Sequence, residues 1–142
     1  MKSILWLDDM RTPLLMSGIH VARNYAQFVA YLESLEPGAF PDLISFDHDL
    51  CLEHYPFGEV DQAKGIPYDS YKEPTGLHCA RYIIEKKLPL RNWTVHSWNP
   101  EGRRNIEREL SHYHKDGWIP LFEIPFRTGP IGGVSSEGWR IA

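Results

Sequence analysis

The stretch SILWLDD, residues 3–9, decides the fold. Four apolar residues, Ile4 to Leu7, run without a break and then meet two adjacent carboxylates, Asp8 and Asp9. An unbroken apolar run of this length suits a strand covered on both faces, as in a parallel sheet. The same pattern recurs at DLISFDHD, residues 42–49, where the apolar run ends at Asp47-His48-Asp49, and at WTVHS, residues 93–97, which ends at His96-Ser97.

Between these runs the period changes from strand to helix. Met10 to Gly18 contains Pro13 and Gly18 and reads as a loop or one turn, so the first crossover helix is shortened. Ile19 to Arg23 reads as a second strand. Asn24 then caps a helix carrying Tyr25, Phe28, Val29 and Leu32 on one face, running to about Leu35 and stopped by Pro37-Gly38. Thr75 caps a second helix with Leu77, Ala80, Ile84 and Leu88 on its apolar face and Lys86-Lys87 in its last turn; Pro89 ends it. Asn99-Pro100 is a cap followed by Pro at the first helical position, and Ile106, Leu110 and Tyr113 share a face of that third helix. Trp118 to Ile124 reads as a last strand. The expectation is an α/β domain over residues 1–126 with a long loop at 51–74, and a Gly- and Ser-rich irregular arm over 127–142. Alternating strands and helices imply a mostly parallel sheet with helices on both faces, a three-layer domain that binds ligands beyond the carboxyl ends of its strands.

The bulk properties narrow the function class. A chain of 142 residues is long enough for one real core. A net charge of −4 gives no global basic field, which disfavours long duplex nucleic acid. No apolar run approaches the roughly 18 residues of a membrane span. The N-terminus reads as a strand and not as a signal peptide. Cys51 and Cys79 show no metal or redox spacing, so two free thiols and a cytoplasmic location are expected.

The strand-end rule gathers Asp8, Asp9, Asp47 and Asp49 at one edge. Two unit charges 4 Å apart repel by about 4 kcal/mol at an effective dielectric near 20. Such a cluster either raises its pKa values or holds a cation, and oxygen ligands favour a hard ion such as Mg²⁺ or Mn²⁺. The alternative is that Asp8 and Asp9 only cap the following turn. His48 and His96 fall at the same edge and suit proton transfer. Ser97 and Asn99 stand beside His96, although Asn99 is equally explained as a cap. Arg103 lies in the first turn of the third helix, where a cation opposes the helix dipole unless an anion binds there. Arg11 and Thr75 reach the same edge. Metal, imidazoles and helix starts together suit a phosphate-containing ligand.

At these residues the chain resembles receiver-like domains. LWLDDMRTP, DLISFDHDL, Thr75-Gly76 and VHSWNPEGRRN look like the cyclic-phosphate processing receiver-like family, over Leu5 to about Ile106. The combination of DDxR, DHDL and HSxNPxG carries the resemblance; each motif alone is weak. It implies a flavodoxin-like fold with five strands in the order 2-1-3-4-5, and action on the cyclic phosphate of nucleotides or RNA ends. The matching positions are Asp8, Asp9, Arg11, Asp47, His48, Asp49, Thr75, His96, Ser97, Asn99 and Gly102. The chain departs from signalling receivers in having Glu123 where a Lys is expected after the last strand, and His48 directly beside Asp47.

Three functions follow as expectations. The first is a metal-assisted phosphoesterase, with Asp8, Asp9 and Asp47 on a divalent ion, His48, His96 and Asp47 catalytic, and Arg11, Asp49, Thr75, Ser97, Asn99 and Arg103 on the substrate. Asp49 orients a neighbour more than it binds the ion. The second is a receiver switch phosphorylated at Asp47. The third is a non-catalytic module for a nucleotide or RNA end, with stacking on Trp98, Tyr68 or Tyr71.

Overall fold

The computed structural model describes residues 3–13, 18–55 and 65–121. Four strands, β1 (Ile4–Leu7), β2 (Ile19–Ala22), β3 (Leu43–Phe46) and β4 (Asn92–Val95), form one sheet in the order β2-β1-β3-β4, with every pair parallel. Among the described residues, α1 (Tyr25–Ser34) connects β2 to β3, α2 (Gly76–Glu85) connects β3 to β4, and α3 (Pro100–His114) follows β4. The α/β class and the parallel sheet are as the apolar runs imply.

All three helices lie on one face of the sheet. Leu5, Leu7, Ile44, Phe46, Trp93 and Val95 point into a single core with Phe28 and Leu32 of α1, Leu77, Ala80 and Ile83 of α2, and Ile106 and Leu110 of α3. Alternate strand residues face the other way: Ile4, Trp6 and Leu43 form a second cluster with Ile19, Val21, Ile119 and Leu121. No described helix covers that face, so the expectation of helices on both faces is not met among the described residues. The reason is topological. Parallel crossovers are right-handed. From β2 to β3, from β3 to β4 and onward the chain moves in one direction across the sheet, so α1, α2 and α3 share a face. Only the step from β1 to β2 moves the other way, and the described residues of that connection, 8–13 and 18, form no helix.

The fifth strand is not established. Trp118 makes an isolated parallel bridge to Trp93, with the Ile119 N–H donating to the Trp93 carbonyl at 2.9 Å. The chain thus arrives beside β4, but Ile119 and Pro120 are not in a strand and residues 122–124 lie outside the described residues. The arm at 127–142 and Glu123 also lie outside them. In the loop at 51–74, single turns of 3-10 helix form at Leu52–His54 and Tyr68–Ser70.

Helix α2 differs from its sequence reading in two ways. Its buried line is Gly76, Ala80 and Ile83, with Leu77 and Cys79 flanking, whereas Ile84 and Leu88 are only partly buried. Gly76 sets this line. Its N–H donates to the His48 carbonyl at 2.8 Å, and a Cβ there would stand 1.7 Å from the Asp47 carbonyl oxygen. The close approach turns the Gly76–Ile83 side of the helix into the sheet. The helix also ends at Glu85, so Lys86 and Lys87 lie beyond it and not in its last turn. Lys87 takes φ 53°, the left-handed region, and the Lys87 and Leu88 N–H groups donate to the Ile84 and Ile83 carbonyls at 3.1 and 3.0 Å. That is a Schellman ending, with Lys in the place usually held by Gly.

Candidate functional site

The carboxyl ends of β1, β3 and β4 deliver Asp8, Asp47 and His96 to one buried point. One ligand-capable atom from each lies within 4.8 Å of the others. Asp8 is the hub. Its Oδ1 accepts from the Met10 and Arg11 N–H groups at 2.9 and 2.8 Å, and its Oδ2 accepts from Arg11 Nε at 2.9 Å. His96 Nε2 lies 3.1 Å from the same Oδ2, and its Nδ1 lies 2.6 Å from the Ser45 hydroxyl. Burial would raise the Asp8 pKa, but the His96 hydrogen bond, the Arg11 guanidinium and the backbone N–H more than offset it and hold it below the usual carboxylate value.

Burial pushes His96 down to about 4, so the ring is neutral near pH 7. Nε2–H then donates to Asp8, and Nδ1 accepts from the Ser45 hydroxyl. The ring stacks on Trp6 with centroids 3.9 Å apart and planes 5° apart, and the Trp6 indole N–H donates to the Arg11 carbonyl at 3.1 Å. The second face of the sheet thus holds His96 and the Asp8–Arg11 turn together. Arg23 braces the same turn by donating to the Asp8 and Arg11 carbonyls at 3.2 and 2.7 Å.

Asp47 carries the opposite electrostatics. It is buried, and its Oδ1 accepts the His48 N–H at 2.8 Å. Oδ2 has Arg11 at 3.7 Å, beyond hydrogen-bond length. Burial first, and then the Asp8 charge, push its pKa well up against the pull of Arg11. Two carboxylate oxygens and a neutral imidazole, with one carboxylate short of positive charge, fit a divalent cation. The Ser45 hydroxyl serves either tautomer of His96, because it donates or accepts.

Asp9 and Asp49 stand apart from that trio. Asp9 is half-buried and both its oxygens accept from the Tyr55 hydroxyl at 3.3 Å; burial and the Asp8 charge raise its pKa. Asp49 Oδ1 lies 2.7 Å from His48 Nδ1 and accepts from Asn99 Nδ2 at 3.2 Å. His48 is fully buried, and its Nε2 lies 2.8 Å from the Tyr68 hydroxyl, which accepts from Asn105 Nδ2 at 2.9 Å. The chain of hydrogen bonds thus runs from Asn105 through Tyr68 and His48 to Asp49. Burial raises the Tyr68 hydroxyl to about 12, which keeps it a donor.

The remaining predicted residues divide between the site and the frame. Thr75 is buried; its hydroxyl accepts the Leu77 N–H at 3.2 Å, and its backbone N–H donates to His78 Nδ1 at 2.9 Å, the return bond of a capping box. Asn99 Oδ1 caps α3 through the Gly102 N–H at 2.9 Å, and its own N–H donates to Ser97 Oγ at 3.1 Å. Arg103 is half-exposed, pairs with Glu107 at 3.4 Å, and lines a cavity with Ser97, Trp98, Pro100 and Leu121. The sequence reading missed Ser45, Tyr55 and Arg23. Ser45 left a signal, as the one hydroxyl in the apolar run of β3; Tyr55 and Arg23 left none. Cys51 and Cys79 are free thiols, as expected.

Comparison with known proteins agrees with this arrangement at the level of family. No curated protein and no solved structure matches the chain. A family model described as the cyclic-phosphate processing receiver domain matches residues 3–112. That span takes in all four strands, all but the last two residues of the third helix and every strand-end group described above, and the chain belongs to this family.

Proposed function

We propose that the protein is a metal-assisted phosphoesterase that opens the cyclic phosphate of a nucleotide or an RNA end. The observation that carries this reading is Asp47: a buried carboxylate beside Asp8 and His96, with its nearest cation at 3.7 Å. Asp8, Asp47 and His96 would hold a divalent ion, and their mixture of oxygen and imidazole donors suits Mn²⁺ as well as Mg²⁺. When bound, the ion would polarise a phosphoryl oxygen and lower the pKa of a water.

The chain's own groups supply the rest. Arg11, already at the cluster, offsets charge on the phosphate. Asp9, at the half-buried edge with a raised pKa, takes the proton of the attacking water. Water adds to phosphorus, one ribose–oxygen bond to phosphorus breaks, and the released oxygen takes up a proton from solvent while Asp9 returns its own to solvent. His96 would serve as a ligand instead of the acid expected from its position: with Nδ1–H donating to the Ser45 hydroxyl, Nε2 keeps its lone pair at the cluster. His48 takes part in proton transfer only if Tyr68 leaves Nε2.

The test is incubation with a panel of 2′,3′-cyclic nucleotides and cyclic-ended RNAs with Mg²⁺ or Mn²⁺, read by formation of the opened monoester. Turnover that Asp47→Ala abolishes is the expected result. No product over the whole panel would sink the enzyme reading. An Asp47-dependent gain of one phosphoryl group from acetyl phosphate, by intact mass, would favour a receiver switch in its place.

A further inference from the structure

We propose that the cavity beside the end of β4 seats an unpaired nucleobase, with Trp98 as its stacking platform, while the attached phosphate reaches Arg11 and the acidic cluster. This deepens the phosphoesterase reading and rests on it. Among the described residues the cavity is lined by Ser97, Trp98, Pro100, Arg103 and Leu121 and has a volume of about 240 Å³.

Continuity with the cluster is the first argument. The Arg11 guanidinium carbon lies 5.6 Å from the centroid of the Trp98 ring. The same guanidinium bonds Asp8 and stands 3.7 Å from Asp47. One side chain therefore joins the acidic cluster to the aromatic wall, and a phosphate on Arg11 places the next group of its ligand against the indole.

The second argument is the indole itself. Trp6 and Trp93 are fully buried, whereas Trp98 is 55% exposed at the mouth of a concave site. The backbone on both sides of it is pinned: Ser97 Oγ accepts the Asn99 N–H, and Asn99 fastens the start of α3. A ring on a fixed turn pays little ordering cost when a base lies on it. Stacking on an aromatic face is tolerant of base identity but needs the base unpaired.

The third argument is the chemical mixture. A bare phosphate makes no use of an indole, a proline ring and a leucine; a purely apolar ligand makes no use of Arg103. A flat heterocycle on a phosphorylated sugar uses both. Arg103, in the first turn of α3 and half-exposed, stands where a second phosphate of a continuing strand would pass. A free mononucleotide and a single-stranded RNA end share the terminal nucleotide that the site would take.

Calorimetric titration of the full chain with Mn²⁺ present tests this, using adenosine 3′-monophosphate and inorganic phosphate as probes. The expected result is that the nucleotide binds about tenfold or more tightly than phosphate. In Trp98→Ala this ratio falls close to one, and in Trp98→Phe most of it returns. Equal affinities in the unaltered protein, a ratio that survives Trp98→Ala, or no binding of either probe overturns the proposal. A 3′-phosphorylated oligoribonucleotide that binds more tightly than the mononucleotide, with the gain lost in Arg103→Ala, assigns the site to RNA ends; equal binding assigns it to free nucleotides. Base-dependent binding without turnover of any cyclic substrate would leave this subsite standing while the enzyme reading falls. Turnover indifferent to the base would do the reverse.

Discussion

His48 and His96 look alike in the sequence and differ in the structure. Each is fully buried just past the end of a strand, and each has both ring nitrogens within hydrogen-bond distance of a partner. His96 lies between Ser45 and Asp8, stacked on Trp6, and its neighbours are the strands of the sheet and the turn after β1. His48 lies between Asp49 and Tyr68, and its neighbours are the start of α3 and the loop before α2. One imidazole thus belongs to the acidic cluster, and the other fastens the frame around it. A strand-end histidine is defined by the partner of its far nitrogen, which the fold supplies.

The largest expected effect would break the comparison outright. His96→Ala and Asp47→Ala each remove a proposed ligand, and the several kcal/mol that a bound ion contributes to the transition state corresponds to at least a thousandfold loss of turnover. Both variants should also lose the rise in melting temperature that Mn²⁺ produces. A Mn²⁺-dependent rise that survives His96→Ala would move that residue out of the ligand set.

Next in size is a pH effect in metal-free protein. A histidine in the unfolded chain takes up its proton near pH 6.5, while folded His96 stays neutral down to about 4. Between those values the unfolded state binds more protons at this residue, so the His96 contribution is complete above about 6.5 and falls as the pH drops, by roughly 3 kcal/mol at most. The raised pKa values of Asp47 and Asp9 contribute in the opposite sense, so the His96 share is read as a difference: from pH 7 to pH 4.5, in urea denaturation with a chelator, the unaltered protein should fare worse than His96→Gln.

The His48 side is tested by Gly102→Ala. A Cβ at Gly102 would stand 2.4 Å from Cγ of the His48 ring. The imidazole has to shift, at a cost of about 1–3 kcal/mol by denaturation, while the response to Mn²⁺ persists because the cluster lies on the other histidine. The smallest effect is that of Tyr68→Phe, which removes the donor to His48 Nε2 and an acceptor for Asn105. About 1 kcal/mol of stability is expected to go, again with the Mn²⁺ response intact. A Mn²⁺ response lost in either variant would merge the two sides into one unit.

How much of this was legible in the sequence depended on how local the signal was. The three apolar runs, the caps at Asn24, Thr75 and Asn99, and the placing of Asp8, Asp47 and His96 at one sheet edge all follow from periodicity and the strand-end rule. The α2 face was read from apolar spacing, yet Gly76 moved it: a helix turns toward its closest backbone approach, and a missing side chain leaves no hydrophobic mark. Ser45 and Tyr55 matter through partners 51 and 46 positions away.

By itself, then, the sequence determined the parallel α/β class and the residue types that could meet beyond the strands, because these depend on local pattern and on the rule that ligands gather at strand ends. Only the tertiary structure decided that the three helices share one face, that His96 joins Asp8 and Asp47 while Asp9 turns to Tyr55, and that His48 belongs to the frame. Those outcomes depend on which distant backbone and hydroxyl groups come within hydrogen-bond reach, and one hydrogen-bond partner is enough to decide whether a buried side chain serves a site or supports it.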